Sequence, residues 1–205
     1  MRVLGLTGSI GCGKSHVSSF LASLGARIVD GDRISHALTA PGGRALPAIR
    51  SAFGDVVFSP DGTLNRRELG RLVFSSESAR SRLNAVIQPM ILEEIHLEMQ
   101  QAEADGCAVC VLDMPLLFEE HLDALCDSTW CVFLSEDLQI LRIMERDHCT
   151  EPEALSRIRS QMSSAEKAAR SDVVIDTSGT FEETERSILP LYQNELKCTA
   201  KKGDA

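Results

Sequence analysis

The sequence predicts a three-layer α/β/α fold of the P-loop type, with a five-stranded parallel sheet between helices, an inserted helical domain and a helical lid. Two observations predict it. Five short apolar runs bounded by polar residues alternate with stretches of helical periodicity, the pattern of a sheet covered on both faces. The first of these runs opens into a glycine-rich loop that feeds straight into a helix.

Val3-Leu4-Gly5-Leu6-Thr7 is the first predicted strand, and Ser15 to Leu24 places Val17, Phe20, Leu21 and Leu24 at helical spacing. Gly25 stops that helix, and Ile28-Val29-Asp30 forms the second strand, with acids at its carboxyl end. Ala108 to Asp113, Trp130 to Leu134 and Asp172 to Asp176 supply the remaining three. Residues 41–104 break the alternation, with Pro41-Gly42-Gly43, Phe53-Gly54 and Pro60-Asp61-Gly62 preceding a helical pattern around Met90 to Met99. They are predicted to be a helical insertion that holds the acceptor substrate. Residues 141–169, rich in Arg, Ser and Glu with a sparse apolar stripe, are predicted to be a mobile lid. The whole of residues 1–205 then forms one unit, its core drawn from about 1–40, 105–140 and 170–196. The polar tail Lys197 to Ala205 is expected to fray.

A chain of 205 residues with 43% apolar residues can bury one substantial core. Its net charge of -9 is opposite to the footprint of a nucleic-acid binder, so a polyanionic ligand must be held by a local cluster. No apolar run reaches the roughly 18 residues of a membrane span, and the chain starts directly into a strand, which together predict a soluble cytoplasmic protein without membrane partners. Seven scattered cysteines argue for reduced thiols. Cys107 and Cys110 form a CxxC, but inside a strand-like run and without a second ligand pair, so they read as core residues.

Gly8-Ser9-Ile10-Gly11-Cys12-Gly13-Lys14-Ser15 fits GxxxxGK[ST] between a strand and a helix, the setting in which that motif wraps phosphate. Glycines let several backbone N–H groups point inward, and the helix N-terminus adds partial positive charge. Lys14 is the cation for the β- and γ-phosphates of ATP, and the Ser15 hydroxyl is a ligand for Mg²⁺. Asp30 and Asp32 follow the second strand, where a carboxylate can orient an acceptor hydroxyl and take its proton; spacing alone does not choose between them, and either is also a possible helix cap. Asp113 ends an apolar strand, as an outer-shell partner of Mg²⁺ does. Arg142 and Arg146, four apart, share a helix face from which guanidinium groups can close on the transferring phosphoryl group. Arg157 and Arg159 are further candidates.

The loop Gly8 to Ser15, Leu24-Gly25-Ala26 and Asp30-Gly31-Asp32 resemble the start of dephospho-CoA kinases. Asp61-Gly62-Thr63-Leu64-Asn65-Arg66, Leu83-Asn84, Pro115-Leu116-Leu117-Phe118-Glu119, Arg146-Asp147, Arg157-Ile158 with Gln161, and Asp172 to Asp176 with Gly179 continue the resemblance to about residue 180. It implies ATP and Mg²⁺ as donor and metal, and the ribose 3′-hydroxyl of dephospho-coenzyme A as acceptor. It implies Asp32 as base, Lys14 and Arg142 on the transferring phosphate, and Gly8 to His16 around ATP. Asn65, Arg66, Leu117 and Phe118 are implied at the acceptor, and Arg142 and Arg146 on the lid. Departures are Ser9 for a glycine, His16 for a threonine, Gln88 for a histidine before Pro89, Gly31 for another small residue and Thr177 for an asparagine.

The nearest rival is a nucleoside or nucleoside-monophosphate kinase of the same architecture, which would not need both the Leu-Asn-Arg and the Pro-Leu-Leu-Phe-Glu segments. A GTP switch needs an Asn-Lys-x-Asp that this sequence lacks. A silent binding module would not need Lys14, Ser15 and the acids together.

Overall fold

A computed structural model describes residues 1–202. Its packing divides into two compact units, Met1–Val29 with the chain from Gln101 onward, and Asp30–Gln100.

The first unit is built on a five-stranded sheet. The strands are β1 (Arg2–Thr7), β2 (Arg27–Asp30), β3 (Val109–Asp113), β4 (Ser128–Phe133) and β5 (Val173–Asp176), in the spatial order β2-β3-β1-β4-β5. β1 runs parallel to both β3 and β4, and β4 runs parallel to β5. The chain therefore lays β3 on one side of β1 and then crosses to lay β4 on the other. Such a reversal leaves a crevice beyond the carboxyl end of the central strand, the position at which ligands bind in open α/β sheets.

Period-two alternation sorts the strands' side chains. Leu4, Leu6, Val109, Val111, Trp130, Val132 and Ile175 point into one apolar layer with Val17 and Leu21 of α1 (Lys14–Ser23) and with Ile188 and Tyr192 of the C-terminal helix. On the other face Gly5 admits close packing, because a Cβ there would lie 2.7 Å from Cys126 Sγ and 2.8 Å from Leu117 Cδ2. α1 ends in a Schellman turn, with the Gly25 N–H on the Ala22 carbonyl and the Ala26 N–H on the Leu21 carbonyl, and Gly25 at φ 95°. The predicted stop at Gly25 thus has a mechanism.

Residues 30–100 hold four α-helices, α2 (Gly31–Leu38), α3 (Leu46–Phe53), α4 (Arg66–Ser75) and most of α5 (Glu77–Ala104), with a short 3-10 helix at Asp55–Val57 and an isolated bridge between Phe58 and Leu64. The compact unit they form begins at Asp30, eleven residues before position 41.

The segment after β4 forms α6 (Glu136–Asp147), α7 (Glu151–Ile158) and α8 (Ser164–Arg170). It packs with the first unit and has a small core of its own: Ile143, Ala154 and Ile158, against which Ile10 of the glycine-rich loop, Ile140 and Met144 pack. Its sparse apolar stripe is thus enough to seat it on the loop.

The last helix, α9 (Phe181–Lys202), corrects the expectation of a frayed tail from Lys197. Buried Ile188, Tyr192 and Glu195 hold α9 against the sheet, Thr199 reaches the Ala108 carbonyl, and the helix continues through Lys202. Residues 203–205 of that tail lie outside the described residues.

Candidate active site

The glycine-rich loop leaves β1 at Thr7 and becomes α1 at Lys14. Gly11 and Gly13 stand at φ 82° and 86°, which side-chain-bearing residues adopt only with strain. Gly8 is required for another reason: a Cβ there would lie 2.8 Å from the Val132 carbonyl oxygen, a backbone atom that cannot move aside cheaply. Close apposition to β4 and two left-handed glycines fix the backbone course of the loop into α1, whose first turn is the positive end of the helix dipole.

Two cations and one carboxylate meet at this loop. The Lys14 ammonium makes a short ion pair with Asp113 at the end of β3, and both side chains are largely buried. An ammonium carries three donors, so Lys14 can keep Asp113 and still turn toward a phosphate. Arg142 of α6 donates through Nη2 to the Thr177 carbonyl at 2.6 Å, and its Nη1 lies 3.5 Å from the position a Cβ would take on Gly13. Arg142 therefore stands beside the loop at Gly13.

Arg146, one turn further along α6, is placed differently. Arg146 is exposed and makes two bonds to Asp147, at 2.7 and 2.9 Å, and Arg157 reaches the same carboxylate at 2.6 Å. Hydrogen bonding from Arg146 holds the Asp147 carboxyl below the usual range, with the charges of Arg146 and Arg157 adding to it. Of these bonds only that of Arg157 joins α7 to α6, because Arg146 and Asp147 are neighbours within α6.

Burial pushes the Cys12 thiol upward, so it sits in the loop as a neutral packing group. His16 stacks on Phe181 with ring centroids 4.2 Å apart, and its Nε2 lies 3.3 Å from Glu185 Oε1. Ser15 is exposed at the start of α1. Among the described residues there is no cluster of three metal-ligating side chains. One hydroxyl and a nearby strand-end carboxylate suit Mg²⁺, which keeps waters and nucleotide oxygens in its shell rather than filling a protein cage.

Leu117 and Phe118 are buried in the first unit, Leu117 behind β1 and Phe118 beneath the Arg170 guanidinium, 4.4 Å from its ring centre. Both therefore serve core packing, a role the sequence left competing with substrate contact. Cys110 is fully buried in β3, as the core reading expects, whereas Cys107 is half-buried and precedes the strand.

In the second unit the two acids separate. The strand ends at Asp30, whose side chain caps α2 by accepting the Arg33 N–H at 3.0 Å. Asp32 lies exposed in the first turn of α2. Asn65 caps α4 by accepting the Glu68 N–H at 3.1 Å, and Arg66 donates to the Thr39 hydroxyl at 2.8 Å, tying α4 to the end of α2. A cavity of about 360 Å³ is lined by Arg33, Ile34, Ala37, Leu38, Arg44, Glu94 and Glu98, and its arginines pair with Glu98 and Glu94.

Sequence reasoning missed two contributors. Thr177 appeared only as a departure, yet it is buried, its hydroxyl donates to the Cys12 carbonyl at 2.7 Å, and its carbonyl receives Arg142. Lys167 drew no notice, because one lysine in an exposed-looking helix carries no signal; it is completely buried.

Residues 2–183 match the family pattern described as dephospho-CoA kinase. The chain is 40% identical over 193 residues to the dephospho-CoA kinase of Carboxydothermus hydrogenoformans, covering 94% of each. Among solved structures it is similar to TT1252 from Thermus thermophilus, with TM-score 0.82 and 30% identity over 94% of this chain and 97% of that one. It is similar also to the dephospho-CoA kinase of Campylobacter jejuni, with TM-score 0.70 and 26% identity over 96% and 98%.

Proposed function

The chain belongs to the dephospho-CoA kinase family, and on that premise we propose that it transfers the γ-phosphoryl group of ATP to the ribose 3′-hydroxyl of dephospho-CoA, giving CoA and ADP as the last step of CoA synthesis. The observation that carries this reading is the joining of Lys14, Asp113 and Arg142 at one phosphate loop.

In this reading the loop N–H groups and the α1 terminus bind the donor's phosphates, and Lys14 and Arg142 hold the γ-phosphoryl oxygens as it becomes metaphosphate-like. Asp32 orients the acceptor hydroxyl and takes its proton as the ribose oxygen bonds to phosphorus and the bond to the ADP oxygen breaks. Asp32 is favoured over Asp30 because Asp30 already serves as the cap of α2. Ser15 would hold Mg²⁺, with Asp113 outside its first shell. Bound there with ATP, the ion supplies neutralising charge to the β- and γ-phosphates.

The acceptor module is residues 30–100, with Asn65 and Arg66 shaping it from within. His16 lies on the donor side. Arg146 steadies the lid. None of the helices among the described residues is long and apolar enough to cross a membrane, and we place the reaction in the cytosol.

The test is ADP release from Mg-ATP with dephospho-CoA, adenosine, AMP or CMP as separate acceptors. Turnover is expected with dephospho-CoA alone; turnover only with a nucleoside or nucleotide would overturn the assignment.

A further inference from the structure

We infer that Glu119 and Lys167 are positioning residues for the phosphate loop, linked to it through the turn at Gln161 and Met162. The inference rests on the reading of that loop as the ATP site. The Lys167 side chain has no exposed surface, an unusual state for an ammonium, and nothing in the proposed chemistry uses it. Its Nζ donates to the Pro115 carbonyl and pairs with both Glu119 oxygens, at 2.8 and 2.9 Å.

From Glu119 the chain of bonds continues to the loop. Glu119 Oε1 accepts the Met162 N–H at 3.0 Å, and the Met162 carbonyl accepts the Ser9 hydroxyl at 3.0 Å. Beside it, Gln161 Oε1 accepts the Ile10 N–H at 3.3 Å. The Pro115 carbonyl that receives Lys167 also receives the Thr7 hydroxyl at 3.1 Å. The ring therefore closes, running Thr7, Pro115, Lys167, Glu119, Met162 and Ser9, and both of its ends lie at the junction of β1 with the phosphate loop.

A buried ion pair of this kind is a poor source of stability, since an apolar pair of the same size is often as good or better. What it does supply is direction. A lysine with three donors and a carboxylate with several acceptor sites define positions for the turn and the loop that a packed methylene chain would not. Phosphate contacts depend on N–H groups being aimed to within a fraction of an ångström, so loosening the ring should weaken donor binding and leave the acceptor unaffected.

The test compares the parent protein with Lys167→Met and Glu119→Gln. Three readouts are taken: KM for ATP, KM for dephospho-CoA, and melting temperature, with a non-hydrolysable ATP analogue titrated directly. The ATP KM and the analogue's dissociation constant are expected to rise about ten-fold, with the acceptor KM within about two-fold. Ser9→Ala, which removes the last link, is expected to give a penalty that does not add fully to that of Lys167→Met, as for groups acting in one network. Loss of thermal stability with unchanged ATP KM would overturn the inference, as would ATP KM values within about two-fold of the parent in both variants. If Lys167→Met does not fold, Glu119→Gln, which keeps the shape and one acceptor, decides by the same criteria. Failure of the parent to phosphorylate dephospho-CoA would instead strike the proposed function, and analogue binding would still read out the ring.

Discussion

The Thr177 hydroxyl donates to the Cys12 carbonyl across 2.7 Å, joining the end of β5 to the phosphate loop. The bond lies in the interior, and the same residue's carbonyl receives Arg142. One threonine thereby connects the sheet, the loop and Arg142 of α6. Thr177→Val keeps the volume and removes the donor, leaving a buried carbonyl with one partner fewer. The expected result is a stability loss of about 1 kcal/mol by denaturant unfolding, with a several-fold rise in the ATP KM.

Lys14→Ala is expected to abolish turnover and to leave Asp113 buried without its cation. Arg142→Ala should lower kcat by about 100-fold or more, on the scale of removing a donor from a developing charge. Steady-state kinetics with dephospho-CoA as acceptor measure both, and near-normal kcat for either would remove that residue from the chemistry.

The two acids of the Asp-Gly-Asp segment should give opposite results. Asp32→Asn is expected to cut kcat by about 100-fold or more while ATP affinity holds, since it removes proton acceptance without removing a donor contact. Asp30→Ala should cost about 1 kcal/mol of stability through the lost cap. A Asp32→Asn enzyme with normal kcat would return the role of base to another group.

Burial pushes the Cys126 and Cys131 thiols up to about 12. In the unfolded chain a thiol loses its proton near 8.5. Between those values the folded state binds the proton and the unfolded state does not, so stability is complete below about pH 8.5 and falls as pH rises toward 12. Urea unfolding from pH 8 to 11 should show this loss, and Cys131→Ala, compared with its own value at pH 8, should show a shallower fall. Exposed Cys198 should react first with a thiol reagent at pH 8.

How much of this was legible depended on the distance between partners. The loop Gly8 to Ser15, the five strands and the Gly25 stop were legible because each is written in consecutive residues, where period, glycine placement and capping act locally. Leu117 and Phe118 could not be separated from core residues, since an apolar side chain in a loop reads alike in either role. That Asp30 caps α2 was not legible from spacing, since it depends on the strand ending at Asp30 and the helix beginning at Gly31.

By itself the sequence determined the parallel α/β class, the phosphate loop with Lys14 and Ser15, and the family. These follow from periodicity and from contiguous motifs whose backbone demands few residues can meet. Only the tertiary structure decided that Lys14 pairs with Asp113, 99 positions away, that Thr177 holds Cys12 from 165 positions away, and that Lys167 is buried on Glu119. Hydrogen bonds and ion pairs need atoms within about 3 Å. Which distant residues meet that distance is set by strand order and helix packing, and neither leaves a periodic trace in the chain.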